Sequence, residues 1–179
     1  MVENTEVKIE EKIYQIDWWG PFTLEKLKEE DAEYLNSISL YAKYQDHRLY
    51  GREVISYIGK VNSPNRTVVD RLSDKDHSVQ TELIYTGTIY KFESWPKADE
   101  VSYERDQYIR FGENDAEIIS HIEELLIYAL WPAGNKRNKN TAKNSWPYRV
   151  FNTSFVGSLP QEVSGHYALY NTPKPDEGD

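Results

Sequence analysis

Two tyrosines, one arginine and one glutamate are the residues of this chain best suited to chemistry on a phosphate ester. Tyr41 closes the tripeptide Ser39-Leu40-Tyr41, and Tyr57 lies in Ser56-Tyr57-Ile58-Gly59. Arg71 comes next, and much later Glu123 is followed by Pro132 at +9 and Asn135 at +12. A guanidinium matches a phosphate in charge and shape. A carboxylate attracts a hard cation such as Mg²⁺, which takes few protein oxygens and keeps its waters. A phenol of pKa about 10 is a poor base near neutrality unless a cation stands beside it. Lys60 and Lys75 are the candidate cations. Each residue type also has an ordinary reading. A strand tyrosine packs a sheet, a helix arginine or glutamate is solvated, and Pro132 stops a helix.

These residues act together only if the chain folds them onto one site. Ile38 to Tyr44 alternates, with Ile38, Leu40 and Ala42 on one face and Ser39, Tyr41 and Lys43 on the other; this predicts a half-buried strand. Glu53 to Gly59 is rich in β-branched residues and predicts a second strand. The intervening loop, with His47 and Gly51, makes the pair an antiparallel hairpin with a long connection. Val68, Val69 and Leu72 predict a short helix from Asn65 to about residue 75, which carries Arg71. Glu82 to Phe92 predicts a third strand.

Asn114 and Glu117 then form a capping-box pattern, and Ile118, Ile119, Ile122, Leu125, Leu126, Ala129 and Leu130 form one apolar stripe. Pro132 and Gly134 end that helix. At about 100° per residue, Glu123 falls at the edge of the stripe, whereas Glu124 points to solvent. Upstream, Val7 to Trp19 reads as an extended segment, and Thr23 caps a short helix through Glu30. The expected fold class is α/β, of the α+β kind. It is a small antiparallel three-stranded sheet flanked by helices, with short N- and C-terminal extensions. The expected organisation is an extension over 1–36, a core over 37–140 and an extension over 141–179.

Over roughly residues 37 to 140 the chain resembles the GIY-YIG nuclease family. That family places one Tyr in each hairpin strand, an Arg in the next helix, and Glu-x8-Pro-x2-Asn at the end. Here the last motif reads Glu123-ELLIYALW-Pro132-AG-Asn135. The first motif departs, being SLY rather than GIY. Where the family often has a His or Tyr four residues after the Arg, this chain has Lys75, and the nearest histidine is His77. The resemblance implies a metal-dependent endonuclease that hydrolyses DNA, similar in size and layout to restriction enzymes. Glu123 would hold Mg²⁺ or Mn²⁺, and Arg71 would stabilise charge on the scissile phosphate. Tyr41 would orient and deprotonate the attacking water with Tyr57 as partner. Asn135 would pin the end of the helix to the site.

Double-stranded DNA is the expected partner, contacted by Lys136, Arg137, Lys139, Lys143 and Arg149 beside Trp146, Tyr148 and Phe151. A palindromic target would imply a homodimer. The formal net charge of −9 has the wrong sign for this partner. The charges are segregated, however. Residues 136–149 hold five basic residues and no acidic one, and 113–124 hold five acidic residues and no basic one. A non-catalytic binding module and a nicking or repair nuclease are the competing readings. Without cysteine, a disulfide scaffold, a thiolate zinc site and a cysteine nucleophile are excluded. His47, His77, His121 and His166 show no paired metal spacing. The N-terminus does not read as a signal peptide, and the longest apolar run, Leu125 to Trp131, is far short of a membrane span. A soluble cytoplasmic protein is expected.

Overall fold

A computed structural model of the chain describes residues 11–30, 35–36, 38–61, 63, 65–74, 83–92, 115–140, 142, 145–154 and 157–166. Strand β1 (Lys12–Phe22) leads into helix α1 (Leu24–Glu29). The hairpin β2 (Leu40–His47) and β3 (Gly51–Lys60) follows, then α2 (Val68–Ser73), β4 (Leu83–Lys91) and α3 (Asp115–Leu130). Strands β5 (Tyr148–Thr153) and β6 (Glu162–Ser164) complete the order.

The three-stranded expectation is overturned. One six-stranded sheet runs β3-β2-β4-β1-β5-β6. It is mixed, because β1 pairs antiparallel with β4 but parallel with β5. The described elements are mostly strands, and helices α1 and α2 are only six residues each. β1, from the segment 1–36, lies inside the sheet, and β5 and β6, from the segment 141–179, extend it. Burial explains why. Tyr14, Ile16 and Trp18 alternate along β1 and turn inward, as do Tyr148 and Val150 of β5. Arg149 and Phe151 point the other way, and Asn152, on the inward face, accepts from Trp18 Nε1 at 2.9 Å. The β1–β5 pairing joins residues more than a hundred positions apart, which local periodicity cannot register.

β2 is buried on both faces rather than half-buried. Leu40, Ala42 and Tyr44 join the core under α3, with Ile58, Ile119, Ile122 and Leu126. Tyr41 points the other way, into a smaller cluster with Leu27, Ile38, Val68 and Leu72. Ile38 therefore does not share a face with Leu40 and Ala42. A strand between two neighbours, covered above and below, has no solvent face, and even Lys43 of β2 is only 5% exposed.

Each short helix begins at a threonine cap. As expected for α1, the Thr23 hydroxyl accepts from Lys26 N at 3.3 Å. α2, expected from Asn65, begins at Val68 behind Thr67, which forms a capping box with Asp70. The expected cap of α3, Asn114, lies outside the described residues. The other end of α3 stops at Trp131, whose φ of 49° is left-handed, just before Pro132.

Candidate active site

Tyr41 of β2 and Gly59 of β3 face each other across the hairpin. A Cβ at Gly59 would stand 2.4 Å from Tyr41 Cζ, 2.5 Å from its hydroxyl and 2.8 Å from Tyr57 Cε1. The absent side chain is therefore what lets the Tyr41 ring cross the strand and stack on Tyr57, with ring centroids 5.9 Å apart and an interplanar angle of 24°. Tyr41 has no exposed surface. Burial first, and then the neighbouring Tyr57, hold its phenol far above the ordinary range, against the opposing pull of the Arg71 guanidinium. Such a group keeps its proton.

α3 brings Glu123 to the end of β3. Its Oε2 lies 2.9 Å from Lys60 Nζ, and the two side chains are 13% and 25% exposed. The Lys60 ammonium also donates to Ser120 Oγ at 2.9 Å, one turn earlier on α3. Burial raises the Glu123 carboxyl above the usual range, only partly offset by Lys60 and Arg71. Lys60, expected beside a tyrosine, is thus committed first to Glu123.

Tyr57, Lys60, Val61, Ser63, Arg66, Arg71 and Glu123 line one cleft of about 200 Å³ where β3 leaves the sheet toward α2. Tyr41 stands behind Tyr57 and is not part of the lining. Three cations face one carboxylate there, so the cleft attracts an anion although the whole chain is acidic. Asp74 flanks the cations, paired with Arg66 and lying 3.9 Å from Arg71.

Asn135 is a structural clamp. Its Oδ1 accepts from Ile58 N at 2.9 Å, and its Nδ2 donates to Ile58 O at 2.8 Å. Gly134 N adds a bond of 2.7 Å to Ser56 O. β3 is the sheet edge, and these three bonds occupy the free backbone groups on either side of Tyr57. The turn after α3 thereby fixes Tyr57 and Glu123 relative to each other. A Cβ at Gly134 would come within 2.8 Å of Ser56 O, so the glycine is required for the approach.

The structure thus gathers Tyr41, Tyr57, Lys60, Arg71 and Glu123, with Asn135 holding the frame. Lys75 and His77 lie outside the described residues, as does Lys143. Lys136 and Arg137 are exposed on the turn after α3, and Lys139 is half-buried with its Nζ 5.9 Å from the Trp131 ring centroid. Arg149 is engaged elsewhere, paired with Glu11 at 2.9 Å and Glu162 at 3.4 Å. Sequence reasoning missed Ser63, in a loop without periodicity, Arg66, which it placed inside the helix expected from Asn65 but which precedes α2, and the steric role of Gly59. Its place opposite Tyr41 was readable once the hairpin register was known.

No family model, curated protein or solved structure matches this chain. Among the described residues no three His, Cys, Asp or Glu side chains group to hold a metal ion. No helix among them is long and apolar enough to cross a membrane.

Proposed function

We propose that this protein is a metal-assisted phosphodiester hydrolase acting on duplex DNA, an endonuclease of the restriction type. The observation that carries the reading is the convergence of Tyr57, Lys60, Arg71 and Glu123 on one small cationic cleft. The resemblance to GIY-YIG nucleases named Tyr57, Arg71 and Glu123 from their order alone; Lys60 was a candidate on chemical grounds, and Tyr41, which the resemblance also named, stands behind Tyr57.

Glu123 is the one carboxylate of the cleft and would hold a hydrated hard cation such as Mg²⁺ or Mn²⁺ in competition with Lys60. When bound, such an ion supplies Lewis-acid stabilisation of the charge developing on the phosphate and leaving oxygen. Arg71 and Arg66 hold the phosphate oxygens and offset their growing charge. Tyr57, at the cleft wall, orients the water that attacks phosphorus; as the new P–O bond forms the water gives a proton to solvent, and as the P–O ester bond breaks the leaving oxygen takes one from solvent. Tyr41 backs Tyr57 and does not act as the base, because its buried phenol stays protonated. A homodimer would present two such clefts to a palindromic site.

The test is incubation of plasmid and linear duplex DNA with the protein in Mg²⁺ or Mn²⁺, against EDTA. Metal-dependent cleavage into discrete fragments supports the reading. One observation favours a second reading, a binding module that no longer cuts: Lys60 already neutralises Glu123 at 2.9 Å, where a metal would compete. Retained DNA binding with no cleavage under either metal would decide for it.

A further inference from the structure

Beside the turn that carries the cations, α3 and β6 enclose a second, larger groove of about 570 Å³, lined by Leu125, Tyr128, Ala129, Trp131, Lys139 and Val163 among others. That volume lies within the roughly 300–1,000 Å³ of sites that hold small ligands. Trp131 is its most conspicuous feature, with 60% of its surface exposed. The ring is held in place, since its Nε1 donates to Lys139 O at 2.6 Å. Its backbone takes the left-handed conformation at φ 49°, a position where helices usually end in glycine and a bulky side chain is costly. The fold therefore keeps an exposed indole at a strained position where a smaller residue would sit more easily. Strain of this kind marks places where a side chain is used.

We infer that this groove receives one unpaired base of a bound DNA strand, stacked on Trp131. The inference rests on the nucleic-acid reading above. Three properties point to a base rather than to another planar apolar ligand. The walls are aromatic and aliphatic, with Tyr128 and Trp131 available for stacking. The rim is cationic, with Lys136 and Arg137 exposed on the adjoining turn and Lys139 in the lining, which suits the phosphates on either side of the base. Asn140 and Ser164 also line the groove and offer donors and acceptors to the edge of a base. The one carboxylate of the lining, Glu162, shares the Arg149 guanidinium with Glu11, at 3.4 Å against 2.9 Å, and so is only partly offset.

α3 carries both sites, the cleft on the side that meets β3 and the groove on the side that meets β6. The protein would prefer DNA that already holds an unpaired base, because extrusion from an intact duplex costs stacking and pairing energy.

The experiment measures binding, without divalent metal, of a labelled short duplex and of the same duplex carrying a single unpaired adenine. The wild type binds the second more tightly by about five- to a hundredfold, the range of a base stacked on an aromatic side chain. Trp131→Ala abolishes the preference and leaves affinity for the fully paired duplex intact, whereas Trp131→Phe retains most of it. Should Trp131→Ala unfold, as judged by circular dichroism, Tyr128→Ala takes its place, with a reduced preference expected. Equal binding of both duplexes by the wild type overturns the inference but leaves the nuclease reading standing. So does a preference that persists in folded Trp131→Ala. Failure to bind either DNA overturns both.

Discussion

Replacing Asn135 by alanine removes a clamp that touches no substrate, so its effect can be worked out from geometry alone. The side chain is 7% exposed and satisfies both backbone groups of Ile58, at 2.9 and 2.8 Å. Truncation leaves a buried N–H and a buried C=O at the sheet edge without partners. Each such group costs about 1–3 kcal/mol, so the limit is about 2–6 kcal/mol. Water entering the space left by the amide recovers part of this, and we expect a loss of about 2–4 kcal/mol. With a typical total stability of about 5–15 kcal/mol the variant still folds. Asn135→Asp is the sharper probe. It keeps an acceptor for Ile58 N but sets a carboxylate against Ile58 O, so it should be at least as destabilising despite its near-identical shape. The assay is urea unfolding at neutral pH, comparing midpoints at constant slope. If Asn135→Ala unfolds within about 0.5 kcal/mol of wild type, as ordinary surface substitutions do, the clamp is an incidental contact and the reasoning fails.

Gly59→Ala should destabilise the fold by about 1–3 kcal/mol or more through the clash with Tyr41. Pairing it with Tyr41→Leu should recover part of the loss, and additive thermal shifts for the two changes would refute the stacking argument. The acid limb of the kcat/KM profile should lie above the ordinary glutamate value of 4.5, because burial raises the Glu123 carboxyl. As pH falls through the raised value, Glu123 gains a proton and activity drops; a limb at or below the ordinary value would contradict this. Neutralising Lys136, Arg137 and Lys139 together should lower the salt slope of duplex binding by up to about three, one per lost phosphate contact. An unchanged slope would assign the turn to solvent.

Which residues meet at the cleft was more legible in the sequence than the sheet that carries them. Tyr41, Tyr57, Arg71 and Glu123 are fixed by local elements: a hairpin, a one-turn amphipathic helix and a long striped helix, each announced by its own periodicity. Helix geometry also placed Glu123 at the edge of the apolar stripe, and its side chain is indeed largely covered at 13% exposure. What the periodicity could not carry was pairing across the chain. Val7 to Trp19 was read as extended and 148–153 was not assigned, and nothing local says that Tyr14 lies beside Val150. The chemistry of single groups was also hidden. Tyr41 was assigned to water activation from its position in a motif, whereas its burial between two sheet neighbours and α2 holds its proton in place. Lys60 was read as a helper of the tyrosines because α3 had no assigned position over β3.

The most direct test of the nuclease reading compares DNA cleavage rates at saturating Mg²⁺ for the wild type, Glu123→Gln and Glu124→Gln, with circular dichroism to confirm folding. Gln keeps the size of Glu123 and a carbonyl oxygen but loses the charge that a hard cation requires. Losing the metal's stabilisation of developing charge costs several kcal/mol, roughly a thousandfold or more in rate. Glu124 does not line the cleft, and its replacement should change the rate little. The account predicts cleavage by wild type and Glu124→Gln, and none measurable above background by folded Glu123→Gln. Cleavage by Glu123→Gln at the wild-type rate would contradict it.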